Sequence, residues 1–379
     1  MRRMPGRGRS VDAGRQASLP RYVVIMAGGQ SARFWPLSRR RRPKQFLSID
    51  KHRSLLQEAA GRVRPLCSWR HIVVVTHANY VEEVRRQLPR VPRRQILAEP
   101  LGRNTAACTT LAAEWIAAHV GDALMVVVPA DHAIPDAAAL RHTLRAASDL
   151  AARENCLVTV GVRPSAPETG YGYLEVGPPI GRVHPRQFWV RRFHEKPRAP
   201  AARRYVSSGR FLWNAGMFVW KTSVFRAALA QCAPALRRAL DGIWSGPEPA
   251  ARVRRAYRRL PSVSVDTALM QPISRRRDAA ARVAVVRANF DWLDVGSWAA
   301  MPAVWGRDKH GNAGAGRWLS IAARNSVVYA PERLVALVGV TDLIVVDTPD
   351  ALLVCARDHA QDVRGVVAEL ERRRWSRYL

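Results

Sequence analysis

The chain has 379 residues, more than one hydrophobic core ordinarily serves, so a large domain plus a smaller one is expected. Apolar residues make up 48%, and no apolar run reaches the length of a membrane span, which excludes the disordered and helical-membrane classes and suits a cytoplasmic protein. The formal net charge of +31 raises nucleic-acid binding, but the basic residues are nearly all arginine, with lysine only at Lys44, Lys51, Lys196, Lys221 and Lys309. They run through the whole chain rather than along one patch, so no specific nucleic-acid partner is expected.

Residues 1–20 carry five arginines and no apolar stretch, which reads as a disordered basic arm rather than a secretory signal. The five cysteines (Cys67, Cys108, Cys156, Cys232, Cys355) show no spacing that suggests a zinc site.

Short apolar runs at Tyr22–Met26, Ile72–Thr76, Leu124–His132 and Leu157–Val162 predict buried strands. Between them, Ser54–Val63, Tyr80–Leu88, Thr105–His119 and Ala137–Arg153 predict helices. This alternation is that of an α/β domain with a doubly wound, mostly parallel sheet, whose ligands bind beyond the carboxyl ends of the strands. From about Gly170 the pattern is mixed, with strands expected at Phe188–Lys196 and Gly216–Lys221 and a helix within 250–259. After Gly311, short β-rich runs broken by Gly, Asn, Pro and Asp predict a small all-β unit closed by a helix over Ala360–Arg374. The expected division is a catalytic domain over 21–309 and a C-terminal β unit over 310–379.

Chemistry concentrates in a few segments. In AGGQSARFWPLSRRRRPKQF (27–46) a glycine pair directly follows the first strand. Ala27, Gly28 and Gly29 can turn tightly and aim N–H groups at anionic oxygens, while Arg33 and Lys44 supply charge suited to a triphosphate. A plain βα turn explains the glycines equally well. In EPLGRNT (99–105) Asn104 or Thr105 can cap the helix that follows. In VVVPADHAI (126–134) Asp131 ends an apolar strand, where it can serve as a hard oxygen ligand or as a turn former.

Taken in order, these segments resemble the sugar-1-phosphate nucleotidyltransferases, and WPLSR with PKQF is similar to the mannose-1-phosphate guanylyltransferase branch. The resemblance implies a GTP-dependent transfer to mannose 1-phosphate, a Rossmann-like nucleotidyltransferase fold, a C-terminal unit like a short left-handed β-helix and magnesium as cofactor; a homodimer stays open as an assembly that the sequence does not decide. It implies that Glu99, Arg103 and Asn104 recognise the base, and that Asp131 pairs with Asp294 of FDWLDVGSW (290–298) to hold the metal. It places Gly172 of ETGYGYLEVG, Glu195 of FHEKP and Asn214 of FLWNAGMFVW at the sugar, and Lys196 on the sugar phosphate. Arg33, Lys44 and Lys196 are the expected catalytic cations.

The chain departs from the family pattern at Ser31 and Ala32, where a glycine and a threonine or glutamate are usual, and in VSVDTALM, where Thr267 and later Gln271 replace Tyr and Glu beyond Asp266. Rival readings are a guanylyltransferase for another sugar phosphate such as a heptose, an enzyme using UTP or dTTP, a non-catalytic sugar-nucleotide sensor, and an arginine-rich nucleic-acid binder.

Overall fold

The computed structural model describes residues 19–29, 32–48, 52–182 and 186–379. The basic arm lies outside the described residues up to residue 18, as does Ser31.

Four strands form the parallel half of the main sheet: β1 (Arg21–Ala27), β2 (Ile72–His77), β3 (Ile96–Glu99) and β4 (Leu124–Pro129), in the order β3-β2-β1-β4. Within β1, Val23 and Ile25 enter one apolar core, and Tyr22 and Val24 enter another on the opposite face. This period-2 split, with both faces of the strand's middle apolar, is what coverage by helices on both faces demands. Two of the covering helices begin where the sequence supplies caps. α1 (Leu55–Val63) starts after Ser54, whose hydroxyl accepts from the Gln57 N–H while the Gln57 side chain accepts from the Ser54 N–H. α2 (Val81–Gln87) and α3 (Asn104–His119) follow, and α4 (Ala137–Glu154) is capped by Asp136, which accepts from the N–H groups of Ala138 and Ala139.

Beyond β4 the sheet changes character. A two-residue β5 (His132–Ala133) leaves the sheet, and the chain returns through β6 (Leu157–Val162), β7 (Tyr173–Pro179), β8 (Gln187–His194) and β9 (Phe211–Lys221). β9 inserts antiparallel between β4 and β6, β10 (Val283–Arg287) lies parallel to β6, and β8 and β7 finish the edge, so nine of the described strands make one sheet. The expected parallel sheet is thus found in the half that carries the site, with a mixed half beside it. β9 is longer than the run Gly216–Lys221 that its apolar pattern marks, because Asn214 and Gly216 interrupt the pattern without interrupting the strand. Gly216 takes a left-handed φ of +65°, and the β6–β9 register shifts between Thr159 and Gly161. β11 (Leu293–Asp294) then pairs antiparallel with β5.

The C-terminal unit holds β12 (Ala313–Ile321), β13 (Val327–Val338), β14 (Leu343–Thr348) and β15 (Ala351–Ala356), in that order across its sheet. β12, β13 and β14 are parallel, yet residues 322–326 and 339–342 between them are too short for separate crossovers. The strands therefore turn corners within their own length. β12 does so at Gly316, with φ +96°, where the register with β13 breaks. The closing helix is Val363–Arg372, shorter than expected at both ends because residues 360–362 and 373–374 are turns.

A Cβ at residue 316 would overlap the Ala330 carbonyl, in a backbone conformation that side chains disfavour. Gly316→Ala should therefore cost at least about 2 kcal/mol, read as a lowered midpoint in denaturant titration, whereas Gly181→Ala, where a Cβ meets nothing, should cost less.

Candidate functional site

A cleft of about 640 Å³ opens beyond the carboxyl ends of β1, β3 and β4. This is where an open α/β sheet binds ligands, and the volume suits a nucleotide-sized molecule. Ala27, Gly28, Gly29, Arg33, Glu99, Arg103, Asn104, Asp131 and Asp294 all line it.

At one end, Asp294 lies directly opposite His132, the residue after Asp131, in the β5–β11 ladder, and both carboxylates line the cleft although they are far apart in sequence. Lys44, its side chain only 3% exposed, places Nζ 3.0 Å from Asp131 Oδ2 and also donates to the Val295 carbonyl. Burial would raise the Asp131 pKa, but the Lys44 ammonium and then His132 outweigh it and hold the carboxyl at about 2. Asp131 is therefore ionised at any physiological pH. Burial pushes the His132 pKa down against the pull of Asp294 and Asp131, and its Nδ1 accepts a hydrogen bond from Trp292 Nε1 at 3.1 Å, as a neutral ring can. Among the described residues no group of three or more His, Cys, Asp or Glu side chains forms a ready-made metal cluster. Two carboxylates lining the cleft fit the alternative, a hard divalent cation that would draw its other ligands from outside the protein.

At the opposite end, Glu99 is buried at the end of β3. Gly28 is what lets the chain pass it, since a Cβ there would come within 2.8 Å of Glu99 Oε2. The Tyr257 hydroxyl donates to Glu99 Oε1 at 3.2 Å, but with no cation beside it burial dominates and lifts the Glu99 pKa to about 8. Arg103 donates to the carbonyls of Tyr257 and Arg258 at 2.9 and 3.1 Å, in the last turn of helix Pro249–Arg259. Neither Asn104 nor Thr105 caps α3 as expected. Arg103 occupies the cap position with no side-chain bond to the helix's first N–H groups, and Thr105 Oγ1 instead accepts from the Val265 N–H at 2.9 Å. Asn104, with φ +62°, holds a left-handed conformation beside the cleft, a strain that asparagine tolerates better than most residues.

The expected sugar residues form a third group, adjoining the cleft rather than lining it. Gly172 admits Glu195, whose Oε2 would lie 2.9 Å from a Cβ at that position. Lys196 Nζ is 3.4 Å from Glu195 Oε1, is largely exposed, and its backbone takes φ +42°. Asn214 donates to Asp266 Oδ1 at 2.8 Å and accepts from Thr159 Oγ1 at 2.6 Å. Asp266 itself lines the cleft, and enclosure by protein followed by the nearby charge of Glu195 raises its pKa to about 7.

Sequence reasoning named Asp266 without giving it a role and passed over His132 and Tyr257. The five residues Asp266–Met270 form a π-helical turn, a feature common at functional sites that has no signature in a single sequence. His132 was visible as the residue after Asp131, but its position opposite Asp294 comes from a two-residue ladder too short to leave a pattern. Nothing about Tyr257 in an arginine-rich helix points to Glu99.

This fold agrees with that of known proteins. Residues 22–306 match the nucleotidyl transferase family and residues 316–370 match the MannoseP isomerase/GMP-like β-helix domain. The chain belongs to the nucleotidyl transferase family. It is 38% identical to a mannose-1-phosphate guanylyltransferase of Escherichia coli K12 over 359 residues, covering 92% of this chain and 73% of that one. It is also 38% identical to the xanthan biosynthesis protein XanB of Xanthomonas campestris over 354 residues, with the same coverage of 92% and 73%. A solved structure from Thermus thermophilus, described as a mannose-1-phosphate geranyltransferase, superposes with a TM-score of 0.83 at 33% identity, covering 93% of this chain and all of that one.

The raised Glu99 pKa has a consequence for stability. A carboxyl that ionises near pH 8 when folded, but in the ordinary carboxylate range when unfolded, adds stability that is complete below the unfolded pKa and is lost as pH rises through about 8. Melting temperatures measured from about pH 5 to 9 should fall less steeply for Glu99→Gln than for the wild type; parallel curves would mean that Glu99 ionises normally in the fold.

Proposed function

We propose that the cleft transfers the guanylyl group of GTP to α-D-mannose 1-phosphate, giving GDP-mannose and pyrophosphate. The observation that carries this reading is the β5–β11 ladder, which sets Asp294 opposite His132, next in the chain to Asp131, so that both carboxylates line one nucleotide-sized cleft. The substrate pair comes from the named guanylyltransferase relatives.

A phosphate oxygen of the sugar phosphate attacks the α-phosphorus of GTP, the bond from that phosphorus to the oxygen bridging it to the β-phosphorus breaks, and pyrophosphate leaves in line. No general base is needed, because a phosphate monoester is already largely deprotonated at neutral pH. The chain's task is placement and charge neutralisation. In this reading Gly28 and Gly29 let the backbone approach the phosphates, and Arg33 neutralises the triphosphate. Lys44 acts through Asp131, holding it ionised and fixed. Asp131 and Asp294 would hold magnesium, which when bound supplies positive charge between the reacting phosphates.

Glu99, Arg103 and Asn104 form the base end. Guanine offers its N1–H and 2-amino group as donors, and a carboxyl is a natural acceptor for both. Lys196 is exposed enough to meet the sugar phosphate, with Glu195, Asn214 and Gly172 shaping the place for the sugar. Supply of both substrates inside the cell fits a cytoplasmic location, and among the described residues no helix is long and apolar enough to cross a membrane.

Pyrophosphate release should be measured over a matrix of nucleoside triphosphates and sugar 1-phosphates with magnesium, and GTP with mannose 1-phosphate should give the highest kcat/KM. Turnover with another pair but not with this one would end the substrate assignment and leave the reaction class standing. In the same assay Asp294→Asn should lower kcat by at least about 100-fold with an unchanged melting temperature. Normal turnover by that variant would remove Asp294 from the site.

A further inference from the structure

Among the described residues, Arg33 and Arg103 line the cleft and Lys44 reaches it through Asp131, and they are not equally available to a ligand. Lys44 is buried on Asp131 and the Val295 carbonyl. Arg103 is spent on two backbone carbonyls of helix Pro249–Arg259. Arg33 is exposed and, among the described residues, gives one hydrogen bond, from Nη1 to Gln361 Oε1 at 2.7 Å. A guanidinium has five N–H donors in a fixed fork, so a single bond at Nη1 sets the plane of the group and leaves the other donors open. The guanidinium lies beside the carboxylate end of the cleft: a Cβ on Gly296 would be 3.7 Å from Arg33 Nη1 and 3.8 Å from Asp294 Oδ2.

Gln361 does not belong to the catalytic sheet. It lies between the 3-10 turn Arg357–His359 and the C-terminal helix, beyond the β unit. That region is fastened to the loop of Arg33 by several further contacts. Trp35 Nε1 donates to the Tyr378 carbonyl at 2.8 Å, and Arg39 Nη2 reaches Asp350 Oδ1 at 2.7 Å while its Nη1 also donates to the Tyr378 carbonyl. The Trp35 carbonyl in turn accepts from Trp298 Nε1 at 3.1 Å, four residues past Asp294. Phe34 and Trp35 share one apolar core with Val295 and Trp298 and with Val363 and Leu370 of the final helix. The loop of Arg33, the loop of Asp294 and the C-terminal unit are therefore packed as one body.

We propose that Gln361 is a positioning residue for the triphosphate: it acts through Arg33, holding the guanidinium in the plane and place at which its open donors meet the phosphates of GTP. This rests on the guanylyltransfer reading above and adds that the C-terminal unit takes part in nucleotide binding. Gln361 is solvent-exposed, so its loss should leave the fold intact.

The test is a double-mutant cycle in the full chain. Gln361→Met keeps the length of the side chain and removes the acceptor. It should raise the KM for GTP about three- to ten-fold, the range expected for one hydrogen bond, without changing the KM for mannose 1-phosphate or the melting temperature. Gln361→Glu keeps an acceptor and should stay closer to the wild type. In an Arg33→Ala background Gln361→Met should have no further effect on GTP. An unchanged KM for GTP in Gln361→Met, or an undiminished effect of that substitution without Arg33, overturns the proposal. If the wild type proves to use a different triphosphate, the substrate reading fails on its own, and the same cycle run with that triphosphate still decides the role of Gln361.

Discussion

The Lys44 ammonium has three segments of chain to satisfy at once. It begins in the loop after β1, reaches Asp131 in the loop after β4, and donates to the Val295 carbonyl just past β11. Withdrawing an ammonium from water is expensive, and it is tolerable only where a carboxylate and a backbone oxygen replace the lost hydration. These three loops therefore cannot drift apart without stranding a charge. The site's geometry depends on that constraint: with Lys44 in place, Asp131 is ionised and fixed in direction, and the chain leaving Asp294 is tied to the same point. A lysine rather than an arginine suits the place, since a compact ammonium can be enclosed by two oxygens from different segments where a planar fork would need a wider opening.

The ladder between β5 and β11 supplies the second dimension. It consists of two residue pairs, Leu293 with Ala133 and Asp294 with His132, yet it carries the long return of the chain back to the cleft. A contact this short cannot be read from a sequence, because two residues leave neither period nor composition behind. Asp131 was legible physically, as a carboxylate at the end of an apolar strand; Asp294 was legible only through its resemblance to a family. The same division runs through the fold. β1, β2, β4 and β6 announced themselves as buried apolar runs, and Ser54 and Asp136 stand where helix starts were expected. β3, four residues long, and the polar half of β9 did not. In β9 the residues that hid the strand, Asn214 and Gly216, lie at the cleft: Asn214 bonds Asp266, and Gly216 lines it. Local pattern failed where a polar residue and a glycine interrupt an otherwise apolar strand.

The large positive charge is also better understood in place. Several arginines are neutralised locally, as in the pairs of Arg85 and Arg86 with Glu82 and Glu83 and of Arg372 and Arg373 with Glu369. Exposed pairs of this kind contribute little to stability, and salt screens them. The remaining excess gives the molecule a positive field, which favours the approach of any polyanion but selects none. Selection has to come from the cleft, where cations are few and mostly committed.

Within that cleft, three carboxyl groups of ordinary chemistry have been driven to different states by their neighbours. Asp131, beside an ammonium, is held at about 2; Glu99, with only a tyrosine hydroxyl, rises to about 8; Asp266, near the charge of Glu195, rises to about 7. The result is a cleft with fixed negative charge at the Asp131 end and a largely uncharged carboxyl at the far end. In the reading proposed above, a triphosphate entering such a site meets repulsion only where a metal ion would cancel it, and a glutamate at the far end does not oppose the nucleotide's own charge.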